Sequence, residues 1–164
     1  MVTVRLSRKE FHEATTLGQD TTKICRMQNT TPRGEEGRGE SDINGALAEF
    51  AVAKLYGADK PRLNIVNDGG LDLWVNDKSI DVKYTRTGLL IFDNLGKFKA
   101  DIAVLVCPTE QPDTFGVVGG ISRASFADRC FEQTMKYGSK LVMKAEDLSP
   151  PEKIWLFLAD GHAR

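Results

Sequence analysis

The chain has little of what disulfide frameworks, zinc sites and histidine chemistry require: three cysteines and two histidines among 164 residues. Cys25, Cys107 and Cys130 stand far apart with no C-x-x-C spacing, which excludes a disulfide scaffold and a structural zinc site. They are expected to be buried small hydrophobes, Cys107 above all. His12 and His162 have no evident nucleophile to serve. The longest strongly apolar runs, such as residues 102–107, fall far short of the roughly 18 that a membrane span needs. The N-terminus turns charged at Arg5 and has no signal-peptide apolar region. The expected compartment is therefore a reducing cytoplasm. Charge of either sign is not in excess: 22 basic and 23 acidic residues leave −1. Without a global field, any nucleic-acid contact has to come from a local patch. Gly119-Gly120 lacks the spacing and the following Lys-Ser/Thr of a phosphate loop.

What is present is an ordinary globular composition, 41% hydrophobic and 27% charged, which excludes wholesale disorder. The length fits one domain with a real core. Residues 2–6 alternate as a short strand. Ser7 and Glu10 have capping-box spacing and predict a helix from Arg8 that frays near Leu17-Gly18. Residues 29–40, nearly devoid of apolar side chains, read as an exposed mobile loop. Ser41-Asp42 opens a second helix that Gly57 closes, with Ile43, Leu47, Phe50 and Leu55 as its apolar stripe. Strands are expected at 63–66, 71–75, 79–85, 89–92, 101–107, 114–121, 140–144 and 154–158, and Ser122 should cap a helix to about Phe131. The 101–107 run is apolar enough to be buried on both faces. The order predicts one mixed sheet with helices packed on it.

The informative stretch is 70–84, which reads as a hairpin. On its first strand Leu71, Leu73 and Val75 share a face, with Asp72 and Trp74 on the other. On its second Ile80, Val82 and Tyr84 share a face, with Asp81 and Lys83 on the other. A two-residue loop at Asp77-Lys78 sets Asp72 opposite Lys83. A loop at Asn76-Asp77 sets Asp72 opposite Asp81. Either even register gathers Asp72, Asp81 and Lys83 on one face, and an odd register disperses them. Adjacent carboxylates repel unless a proton or cation intervenes, and oxygen ligands suit a hard cation such as Mg²⁺. The backbone carbonyl of Val82 offers a further ligand. Glu49 sits on the second helix among Gly45, Ala46, Val52 and Ala53, where a carboxylate is partly buried and needs a partner. Asp68 and Asp77 read as turn residues, and Asp93 and Asp101 as weaker ligand choices. Trp74 is placed either to stack on a base or to pack under the helix.

A helix carrying Glu49, then Asp72, then Asp81-Val82-Lys83 as a D-x-K element resembles the PD-(D/E)XK nuclease superfamily. Residues 43–54 look like the first helix of small phage-encoded members. The resemblance covers roughly residues 41–131, with Leu71 where the motif has proline. It implies an α/β, restriction-endonuclease-like core (αβββαβ), a mixed central sheet flanked by helices. Residues 1–40 would form an N-terminal strand, helix and loop, and 41–164 the nuclease-like part of one compact domain. It also implies Mg²⁺-dependent phosphodiester hydrolysis, with Mn²⁺ substituting. Asp72 and Asp81 would hold the ion, with Glu49 directly or through water and the Val82 carbonyl beside them. Lys83 would orient the attacking water. The expected partner is DNA, in the host cytoplasm if the chain is phage-encoded, with Lys97, Lys99, Arg86, Arg123, Arg33 and Arg38 as its cations. A homodimer would let two sites act on both strands. The competing readings are a non-catalytic nucleic-acid-binding module that keeps the fold and a metal-dependent enzyme on small phosphate esters.

Overall fold

The computed structural model describes residues 1–27, 38–62 and 71–160. The strand Val2–Arg5 (β1) leads into the helix Arg8–Met27 (α1). The capping box forms as expected: Ser7 N–H donates to Glu10 Oε2 at 2.7 Å, and Glu10 N–H donates to Ser7 Oγ at 3.2 Å. The helix then runs past Gly18, where the sequence predicted fraying, because tertiary contact decides there. A Cβ on Gly18 would stand 2.5 Å from the Cα of Ile43. The glycine lets α1 lie backbone-close against the next helix, Arg38–Tyr56 (α2), and the Thr22 hydroxyl donates to Asp42 Oδ2 at 2.8 Å across that contact. Helix α2 starts three residues before Ser41, so residues 38–40, expected in a loop, are helical. It ends at Gly57, whose φ of +71° suits a glycine C-cap. The rest of the expected loop and the expected strand at 63–66 lie outside the described residues.

A two-residue turn joins Leu73–Val75 (β2) to Lys78–Tyr84 (β3). Leu89–Phe92 (β4) follows, then Ile102–Pro108 (β5) and Thr114–Ser122 (β6). Ser122 caps the helix Arg123–Arg129 (α3), its Oγ accepting from Ser125 N–H. Phe131–Met135 (β7) and Gly138–Lys144 (β8) form a second hairpin, and Pro151–Ala159 is the helix α4. The central sheet has the order β1-β6-β5-β3-β2, with β3 and β5 parallel and the other pairs antiparallel. A smaller antiparallel sheet has the order β4-β8-β7. Among the described residues no helix is long and apolar enough to cross a membrane.

The one mixed sheet expected is divided into two, because β4, β7 and β8 pair only among themselves, and two further elements depart from the sequence reading. Residues 154–158 are helical, not a strand: Pro151 opens the helix, and Ile154 and Leu158, four apart, turn inward together. Strand β7 was not foreseen, because almost all of its side chains are exposed and it carries no apolar alternation.

The two faces of the central sheet bury different cores. Ile80, Val82, Ile102, Val104, Val106, Val117 and Phe115 face α1, α2 and α4. Ala103, Leu105 and Ile121 face β4, β8 and α3, where Phe92, Phe98 and Phe126 pack ring on ring. Strand β5 is buried on both faces from Ile102 to Val106, as its composition predicted. One register shift opposite Leu105 and Val106, at Val118, keeps Val117 and Phe115 on the helix side.

Candidate active site

Of the two even registers, the hairpin takes the one with the loop at Asn76-Asp77. Leu73 pairs with Ile80, Trp74 with Ser79 and Val75 with Lys78. Asn76 accepts φ of +55° at the turn, a conformation asparagine tolerates. Continued by one step, this register brings Asp72 to Asp81, but the ladder changes character there. Asp72 N–H donates to the carbonyl of Ile80 at 2.9 Å. The Asp72 carboxylate then takes the place of a backbone carbonyl, with Oδ2 accepting from Val82 N–H at 2.6 Å. Asp72 is thereby fixed on the peptide unit that joins Asp81 to Val82. In a strand the N–H and C=O of one residue point to the same side. The Val82 carbonyl therefore faces the flank of β3 that Asp72 occupies.

Asp81 is fully buried, and Lys83 Nζ stands 2.5 Å from its Oδ1. Both residues project from the face of β3 opposite to Ile80 and Val82. Their partners on β5 are Ala103 and Leu105, which belong to the aromatic core under the small sheet. The Lys83 ammonium lies 5.2 Å from the centroid of the Phe92 ring, so its stem is held between β3 and β4 while its side chain stays 36% exposed. An ammonium held beside a buried carboxylate at a partly open rim can meet a substrate without leaving its partner.

A second polar contact anchors the same face one step earlier. The Ser79 amide and hydroxyl donate to Asp101 Oδ2 at 2.8 and 2.7 Å, and Asp101 N–H returns a bond to Ser79 Oγ at 3.0 Å. The Ser79 amide, more than any other group, pulls the Asp101 carboxyl below the usual carboxylate range; the hydroxyl and Lys78 act in the same direction, against burial. The clamp fixes the parallel register of β3 on β5, and so the height of Asp81 and Lys83. The sequence offered Asp101 only as a weaker ligand choice. Its signal was position, directly before a strand buried on both faces.

The structure thus sets Asp72 on the Val82 amide and, from the residues on either side of Val82, pairs Asp81 with Lys83. Glu49 is half-buried on α2, and α2 packs on the helix-side face, touching both β3 and β2. It approaches the hairpin from the face opposite to Asp81. Among the described residues no three His, Cys, Asp or Glu side chains gather as a metal cage. Asp72, Asp81 and the Val82 carbonyl are nonetheless oxygen donors of the kind a hard cation takes. They fit Mg²⁺, which keeps several waters and takes one or two carboxylates and substrate phosphates rather than a full protein cage.

Of the other residues singled out, Asp77 is exposed in the turn, and Asp93 accepts from Lys140 Nζ at 2.6 Å on the small sheet. Asp68, His162 and Arg33 lie outside the described residues. His12 is on α1. The cysteines are free and half-buried rather than fully buried, and burial pushes the Cys107 thiol upward. Of the expected DNA-contacting cations, Lys97 and Lys99 are exposed beside the small sheet. Arg123 Nε donates to the Phe98 carbonyl, and Arg86 is bound to Glu40. The sequence reading passed over Trp155, half exposed on α4 beside the hairpin turn. The helical spacing of Ile154 and Leu158 around it was the signal that would have found it.

No protein-family model, curated protein or solved structure matches the chain.

Proposed function

We propose that this protein is a Mg²⁺-dependent nuclease of the PD-(D/E)XK type, with a restriction-endonuclease-like core, hydrolysing phosphodiester bonds in DNA. The observation that carries the reading is the Asp72 carboxylate seated on the Val82 amide, beside the buried Asp81 and its Lys83 partner. Stability alone gives no reason for this arrangement. A buried ion pair seldom repays its desolvation, and an apolar pair would serve the core at least as well. The order of helix, hairpin and doubly buried strand around a mixed sheet supports the same reading.

Asp72, Asp81 and the Val82 carbonyl would hold the ion; Glu49, carried by α2 on the opposite face of the hairpin, is given no ligand role in this reading. When bound, Mg²⁺ lowers the pKa of a water and draws charge from the phosphate oxygens. Lys83 does the rest from the protein. Its ammonium orients the attacking water and offsets charge developing on the phosphate, and the Phe92 ring keeps it from swinging into solvent. The Ser79–Asp101 clamp keeps β3 in register while substrate binds.

The test is a panel of linear, circular, single-stranded and branched DNA with Mg²⁺ or Mn²⁺, run beside Asp81→Ala and Lys83→Ala. Cleavage is expected to require the metal and to fall by about 10³-fold in each folded variant. Undiminished cleavage in either variant rejects the site. Tight DNA binding with no cleavage under any metal favours the non-catalytic module instead.

A further inference from the structure

The chain has two tryptophans, and both are exposed beside the same cleft. Trp74 on β2 and Trp155 on α4 are each 55% exposed. They line a cavity of about 430 Å³ with Tyr56, Asp59, Asn76 and Leu158. The cleft is firmly built: Asn76 Nδ2 donates to the Leu158 carbonyl at 2.9 Å, and Tyr56 Oη donates to the Pro151 carbonyl at 3.3 Å. These bonds pin the hairpin turn and the end of α2 to α4. Exposing two indoles this way forfeits burial that folding would otherwise gain, so the cleft calls for an occupant.

We propose that this cleft receives an unpaired nucleobase of the DNA strand entering the site, an inference that rests on the nuclease reading above. Trp74 lies two residues from Asp72 on the same chain segment, ~7 Å along a strand. Strand β2 is the edge of the central sheet, so the cleft and Asp72 share one exposed hairpin edge. Every base has a π-face, so stacking on indole rings binds a strand whatever its sequence. The charges sort the parts of the nucleotide. Asp59 on the cleft wall repels a phosphate and accepts from a base's exocyclic amine. Lys78, at the far end of the turn, holds its ammonium 5.5 Å from the Phe157 ring on α4 and is the cation for the backbone outside. A blunt duplex keeps its bases stacked and cannot fill the cleft. The preferred substrate class is therefore DNA with a single-stranded or branched segment next to the cut.

Both tryptophans line this one cavity, so the chain's intrinsic indole emission reports on it alone. The experiment titrates the full chain, in chelator, with a single strand of roughly ten nucleotides and with a blunt duplex. The single strand should quench the emission and the duplex should not. Trp74→Ala and Trp155→Ala, both at exposed positions, should each weaken single-strand binding about ten-fold. Emission that ignores the single strand, with unchanged affinity in both variants, overturns the cleft even where metal-dependent cleavage is seen. Quenching without cleavage under any metal keeps the cleft and discards the nuclease reading. Emission that shifts with protein concentration alone, with doubled mass in light scattering, makes the cleft a contact between copies and overturns the proposal.

Discussion

The two faces of β3 are built on opposite rules. Toward the helices it presents Ile80 and Val82, which join an apolar core with Val104, Val52 and Phe50. Toward the small sheet it presents Ser79, Asp81 and Lys83, three polar side chains in a row, two of them buried. Strand β5, alongside, is apolar on both faces, so the polar row is a property of β3 and not of its place in the sheet. Burial of Ile80 contributes about 1.5–3 kcal/mol. Burial of Asp81 costs free energy that Lys83 only partly returns. One face holds the fold together, and the other spends part of that stability on placing charge.

Exchanging neighbours on this strand tests the contrast most severely. Ile80→Ala should cost about 2–5 kcal/mol in urea denaturation, because Ile80 is fully buried and the cavity it leaves collapses only in part. DNA cleavage below the new melting temperature should persist. Asp81→Asn should do the reverse, removing cleavage while costing less stability than Ile80→Ala, because the Lys83 ammonium it leaves unpaired is 36% exposed and can turn to water. If Asp81→Asn unfolds the protein as Ile80→Ala does, the polar row is structural and the contrast fails.

Ser79→Ala sharpens the account of the polar face, with a smaller effect. The hydroxyl it removes donates to Asp101 at 2.7 Å and accepts from the Asp101 amide. The loss should be about 1–2 kcal/mol near neutral pH. The sign with pH follows from the direction of the Asp101 shift. Its folded carboxyl is depressed, so its stabilisation is fully present above the unfolded value near 3.8 and is lost as pH falls through the lower folded value. The difference between Ser79→Ala and the parent should therefore narrow in acid. A gap that widens below pH ~4 would mean that the clamp does not act through the charged carboxylate.

These residues also mark how far sequence reading reached. The Ser7–Glu10 box was legible because both partners lie within one helical turn. The length of α1 was not, because Gly18 and its neighbouring threonines favour helix only once α2 lies against them. The run 154–158 was ambiguous because four or five apolar residues fit either period, and packing against β6 decides between them. In the site, turn parity narrowed the register to two choices and put Asp72, Asp81 and Lys83 on one face. It did not reveal that Asp72 leaves the ladder to cap the Val82 amide. Nor did it reveal that α2 carries Glu49 along the opposite face. Both depend on which layer covers which side of the sheet, and alternation along a strand does not encode that.

The smallest expected effect lies at the rim of the helix face, where charge returns. The Lys54 ammonium, with help from the Ser7 amide, lowers the Glu10 carboxyl to about 2 and joins the start of α1 to the end of α2. The pair is largely solvated, so it should add under about 1 kcal/mol. Its contribution is present above the ordinary value of 4.5 and fades as pH falls toward 2. Lys54→Met should bring the Glu10 carboxyl back toward 4.5 in an NMR titration while barely moving the urea midpoint at neutral pH. A loss as large as that of Ile80→Ala would show that the helix face also leans on charge. The division between a face that stabilises and a face that places charge would then fail at its edge.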